Sequence, residues 1–166
     1  DPTETGIDCG GPCGACNNGQ CDAADSDPTS CTTPDNSLCA SNYCDNLTCL
    51  CQSLPTITWV SPNDGAVDNF ITIGGQNFGT TPGKVYFSGP GGDIEALYPN
   101  TINPACNNNW QDDQIIVVVP AGAIDGPIKV ETSALLEDTT DNANGPSILD
   151  FDVNSIKRPG LCLVLP

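Results

Sequence analysis

The chain has 166 residues, with 21 acidic against four basic side chains, 11 cysteines, no histidine and a formal charge of −17. Such a surface repels phosphate backbones and anionic lipid, which makes nucleic-acid and membrane-surface binding poor readings. Without histidine, the commonest acid/base group and most metal-ligand sets are missing, and serine or threonine nucleophiles have no imidazole to activate them. No apolar run is long enough to span a bilayer, so the segment inserts in no membrane by a helix. The length suits one medium domain, or a small one with an appendage.

Residues 1–53 form the first region. Cys9, Cys13, Cys16, Cys21, Cys31, Cys39, Cys44, Cys49 and Cys51 stand there among glycine, asparagine, aspartate and proline, as in "DCGGPCGACNNGQCDAADSDPTSC". A stretch so poor in apolar periodicity cannot offset its chain entropy by burial, so cross-links must hold it. The expectation is a loop-rich disulfide knot in an oxidising, extracellular compartment. An all-cysteine zinc site competes, but the spacing is irregular for one. Spacing leaves the pairing open, and nine is odd: one cysteine has a partner elsewhere or is free. Cys13 and Cys16 have redox-motif spacing without the βαβ context that lowers a thiol pKa. Asp22, Asp25 and Asp27 are candidate calcium ligands, although the glycine and distal glutamate of an EF-hand loop are missing. A solvated acidic loop is the plainer reading. Asn46, in "NLT", is the one N-glycosylation sequon.

Residues 54–157 read as short strands between turns. They are "TITWVSP" (56–62), "NFITIGG" (69–75), "GKVYFSG" (83–89), an edge-like "DIEALYP" (93–99), "DQIIVVVP" (113–120), "GPIKVET" (126–132) and "SILDFDV" (147–153). The fifth is apolar on both faces, as in a central strand. The last puts Leu149, Phe151 and Val153 on one face. Ala134–Leu136 suggests a short helical turn. Seven β-runs without a helical pattern predict an all-β, two-sheet sandwich. Gly74, Gly75 and Gly79 are expected at a tight turn with positive φ, and Pro120 ends its strand because it cannot donate to a ladder. Trp110 reads as a packing residue, with ligand stacking as its alternative. Asp112, Asp113, Glu137, Asp138 and Asp141 are weaker cation candidates.

"PTITWVSPNDG", "ITIGGQNFG", "VYF" and "WQDDQIIVVVPAGAIDGPIKVET" together resemble the IPT/TIG family of immunoglobulin-like domains, over residues 55–153. The resemblance implies an immunoglobulin-like sandwich of a kind commonly non-catalytic in bacterial surface proteins. One departure is Asp68, where a glycine commonly precedes the second strand. "ETGIDCGGPCGAC" and "LCASNYCDNLTCLC" resemble cysteine-rich repeats of bacterial secreted and surface proteins.

Residues 158–166, "RPGLCLVLP", echo "LPTITWVSP" (54–62), with Pro159 on Pro55, Leu161 on Ile57, Val164 on Val60 and Pro166 on Pro62. They are expected to be a linker and the first strand of a following sandwich, or a strand donated to a neighbouring copy. Cys106 and Cys162, the two cysteines outside the first region, are a candidate pair; the alternative is that one of them takes the odd cysteine of the knot. The functional expectation is a non-catalytic structural or adhesive module of a repetitive cell-surface protein or filament. Its partners would be neighbouring copies, adjacent modules, or a surface protein or glycan target. It would need no cofactor unless calcium. The alternative is a carbohydrate- or calcium-binding module that targets a larger secreted enzyme or receptor.

Overall fold

The structure, a computed structural model, describes Cys44, residues 51–141 and 149–158, Gly160 and Cys162. The chain divides into two units, Asp1–Leu54 and Pro55–Pro166, and nearly all described residues lie in the second.

That second unit is an immunoglobulin-like β-sandwich. One sheet runs β1 (Thr56–Ser61), β3 (Phe70–Gln76), β6 (Gln114–Val118), all antiparallel. The other runs β5 (Ile94–Glu95), β4 (Lys84–Phe87), β7 (Ile128–Glu131), β8 (Glu137–Thr139). A short parallel pair, β2 (Asp64–Gly65) with β9 (Asp152–Val153), closes one end. Period-two alternation gives each strand an inward set. Ile57, Val60, Ile71, Ile73, Ile115 and Val117 from the first sheet meet Val85, Phe87, Ile128 and Val130 from the second in one buried cluster. Phe151 completes it, edge-on to Phe87 with ring centroids 5.4 Å apart.

β1 carries a bulge between Ile57 and Trp59. An extra residue there lets Ile57 and Val60 both face inward while Thr58 and Trp59 face out. Beside this bulge Asp138 is buried on β8, and its Oδ2 accepts the Ile57 amide at 2.6 Å. A carboxylate thus takes the place of a missing neighbouring strand and blunts the edge of the first sheet.

Three local expectations are corrected. Ala134–Leu136 is the turn of the β7–β8 hairpin, not a helical turn: Thr132 N–H donates to the Leu136 carbonyl at 2.8 Å. Leu135 sits in it at φ 62°, 75% exposed, a conformation that costs a branched side chain about 1 kcal/mol or more. Gly79 does have positive φ, at 78°, but Gly74 and Gly75 lie within β3 outside that region. They are glycine for space. A Cβ on Gly74 would stand 2.0 Å from the Trp59 indole, and one on Gly75 would stand 2.0 Å from the Thr56 carbonyl oxygen. The last predicted strand is two residues long, and its start at 147–148 lies outside the described residues. Asp68 occupies φ 70°, which explains why glycine commonly suits that place.

Candidate functional site: a strap stapled to the first sheet

Past β9 the chain continues as a strap parallel to the segment from Asn63 to Phe70. Asp152 N–H donates to the Asn63 carbonyl, Asn154 N–H to the Gly65 carbonyl and Ala66 N–H to the Ile156 carbonyl, at 3.0, 2.8 and 3.2 Å. Asn69, itself buried, clips the strap with its side chain. Its Nδ2 donates to the Ile156 carbonyl at 2.9 Å and its Oδ1 accepts the Arg158 amide at 3.4 Å. A Cβ on Gly65 would fall 2.5 Å from that Nδ2, so glycine leaves the clip its room. The Arg158 guanidinium grips both Asp64 oxygens, at 2.8 and 2.5 Å, and Asn154 Nδ2 donates to the same carboxylate at 2.9 Å. These donors hold the Asp64 carboxyl below its ordinary range, Arg158 first and Asn154 second. Lys157 Nζ donates to the Val67 carbonyl, and Gly160 presses on Phe70, where a Cβ would approach to 2.5 Å.

The strap ends in a covalent bond. Cys162 forms a disulfide with Cys106, Cα atoms 5.1 Å apart, closing a loop across 56 positions. Cys106 is buried and tied to β6 through one residue. Asn109 Nδ2 donates to the Cys106 carbonyl at 2.9 Å, and the Asn109 carbonyl accepts Ile116 N–H at 2.8 Å. Trp110 lies beside it, buried, with Nε1 donating to the Gly79 carbonyl at 2.9 Å. Tyr98 stands edge-on to Trp110 at 6.0 Å, and its hydroxyl donates to the Gly83 carbonyl at 2.8 Å. Burial pushes the Tyr98 phenol above its ordinary value.

The outer face of the first sheet is apolar at one end. Alternation places Phe70, Ile116 and Val118 on the outer face of the first sheet, away from the central cluster. Ile116 and Val118 are nevertheless only 1% and 3% exposed. Bonds from Leu97 and Asn109 run along the free edge of β6, and Gly160 lies on Phe70. The strand expected to be central is in fact third in its sheet. Its outer edge is bonded by the loop residues Leu97 and Asn109.

The remaining candidates are dispersed. Asp22, Asp25, Asp27, Asn46, Cys9, Cys13, Cys16, Cys21, Cys31, Cys39 and Cys49 lie outside the described residues. Cys44 and Cys51 are disulfide-bonded and face each other across an isolated antiparallel bridge. Asp112 Oδ1 accepts Gly79 N–H at 2.9 Å, and Glu137 reaches Lys129 at 3.7 Å. Asp113, Asp138 and Asp141 join them in no common site. Among the described residues, no group of three or more histidine, cysteine, aspartate or glutamate side chains is placed to hold a metal. No helix among them is long and apolar enough to cross a membrane. Asp64 was not foreseen as the strap's partner. Arg158, the single arginine of the chain, was the available signal for Asp64.

The IPT/TIG domain model matches residues 55–136. A cyclomaltodextrin glucanotransferase of Niallia circulans is 32% identical over 92 residues, which is 55% of this chain and 11% of that enzyme. A second, from Bacillus sp. (strain 6.6.3), is 35% identical over 72 residues, 43% of this chain and 9% of the enzyme. The solved gamma-CGTase of alkalophilic Bacillus clarkii aligns at TM-score 0.44 and 25% identity, over 61% of this chain and 12% of that one. The chain thus spans about a tenth of the length of the curated relatives it matches.

Proposed function

Residues 55–136 are an IPT/TIG domain, and from that premise we propose that the chain is a non-catalytic structural module of an extracellular, repetitive surface protein or filament. The observation that carries this reading is the strap stapled by Cys106–Cys162. A strap of this kind would pass tension from Cys162 to the Cys106 loop, and through Asn109 to β6, instead of peeling the last strand. The two glucanotransferases share about a tenth of their length with it, which fits a building block rather than a reaction centre. The disulfides support extracellular placement, since reducing compartments seldom maintain them.

Counting supports assembly. With Cys106 and Cys162 joined, nine of the 11 cysteines remain, all between Cys9 and Cys51. An odd number cannot pair among themselves, so at least one stays a thiol or bonds outside residues 1–166. The strand expected at 161–166 would then continue into a following sandwich or enter a neighbouring copy.

The deciding experiment is the intact mass of native material, with and without reduction, beside surface labelling of intact cells by an antibody against the sandwich. Surface label with a non-reduced mass well above 17.2 kDa is the expected result. A reduced, intracellular monomer would overturn the reading.

A further inference from the structure

We propose that the uncovered part of the first sheet's outer face is a binding platform for a neutral carbohydrate, with Trp59 as its stacking surface. Trp59 is 41% exposed, whereas Trp110 is buried. The indole is seated against the sheet. It is set opposite Gly74 on the neighbouring strand, and atoms Cε2, Cζ2 and Nε1 occupy the space where a Gly74 Cβ would lie, 2.0 to 2.3 Å from it. Gly74 needs no positive φ, so its lack of a side chain is accounted for by the ring alone. One face of the indole therefore rests on the sheet, and the remainder is presented to water in a fixed orientation. A hydrophobic surface held this way loses little side-chain entropy when a ligand covers it.

The surroundings select the ligand. Alternation puts Thr72 and Gln76 on the same face of β3 and Gln114 across from Gly74 on β6. Amides and a hydroxyl beside an aromatic plane suit a pyranose ring, whose C–H face stacks while its hydroxyls exchange hydrogen bonds. A cationic peptide would want carboxylates in that row. Anionic glycans meet the opposition of a −17 chain. Gly160 of the strap covers the Phe70 end of this face, and Trp59 at the other end is exposed.

This inference goes beyond the structural reading and does not depend on it. Acrylamide quenching of tryptophan fluorescence reports on Trp59, because Trp110 is buried. The full chain would be titrated with maltohexaose, cellohexaose and chitohexaose, with oligoalginate and polylysine as charged comparisons. At least one neutral hexasaccharide at roughly 10 mM should protect Trp59 from quenching. Calorimetry should show affinity lowered about tenfold in Trp59→Ala and partly kept in Trp59→Phe. Gly74→Ala, which unseats the ring, should weaken binding similarly, with Trp59→Phe as the check that the sheet stays folded. Absence of protection by all three neutral sugars overturns the proposal. So does equal binding by Trp59→Ala, or protection by oligoalginate or polylysine in their place.

Discussion

The two sheets of the sandwich treat their outer faces in opposite ways. The second sheet turns Lys84, Tyr86, Lys129 and Glu131 outward and spans them with ion pairs. Lys84 lies 3.3 Å from Glu95, and Lys129 lies 2.7 Å from Asp93 while standing over the Tyr86 ring at 4.6 Å. The first sheet carries Phe70, Ile116 and Val118 there, keeps the latter two buried, and has Gly160 of the disulfide-closed strap against Phe70. A wet outer face needs no cover. An apolar one must have it, and here the cover is irregular chain that has no ladder of its own and depends on a disulfide.

Breaking the staple should therefore produce the largest effect. Replacing Cys106 and Cys162 together by alanine is expected to lower unfolding stability by about 4 kcal/mol, by the chain-entropy estimate for this loop. Denaturant titration measures it, and a hydrophobic dye should begin to bind the first sheet but not the second. Ile116→Ala should next cost about 3 kcal/mol, like a core residue. Lys129→Ala, on the opposite outer face, should cost less than about 1 kcal/mol, because solvent screens its ion pairs. Equal losses would erase the distinction between the faces. Asp138→Ala, which leaves the buried Ile57 amide unpaired at the corner joining the sheets, should cost about 2 kcal/mol.

The smallest effect is in pH. Asp64 titrates below its ordinary 3.8 when folded, so the stability it adds is present above 3.8 and is lost as pH falls through the lowered value. Lys84 and Lys129 are raised above 10.5, by Glu95 and Asp93 foremost, so their contribution holds below 10.5 and is lost as pH climbs. Acid should loosen the strap, and alkali the second sheet's face. Asp64→Asn should remove part of the acid limb and leave the alkaline limb alone, as hydrogen exchange at Ala66 and at Lys129 would report.

Much of the sandwich was legible because period-two alternation writes itself directly into residue order. "IIVVV" and "KVYF" show their inward sets without help. β2 was not legible, since two residues reading "DG" look like a turn and become a strand only beside Asp152 and Val153. β8 was hidden for a similar reason. "EDT" has no apolar alternation, and its one inward residue is a charged aspartate whose partner lies 81 positions away. Gly74 misled because glycine next to glycine usually marks a turn, while here the reason is an indole from another strand.

The sequence by itself determined the class: a cross-linked, acidic, histidine-free chain with an all-β sandwich of the immunoglobulin-like kind. It also held Cys106 and Cys162 apart from the other cysteines, though not what their bond would cover. Tertiary structure alone decided that Ile116 and Val118 need a lid, that Asn69 and Asp64 clip the strap, and that Trp59 lies flat over Gly74. The physical reason is range. Alternation and turn chemistry act between near neighbours, whereas a strap, an edge cap and a ring seat are made by residues tens of positions apart, which only the closed sandwich brings into contact.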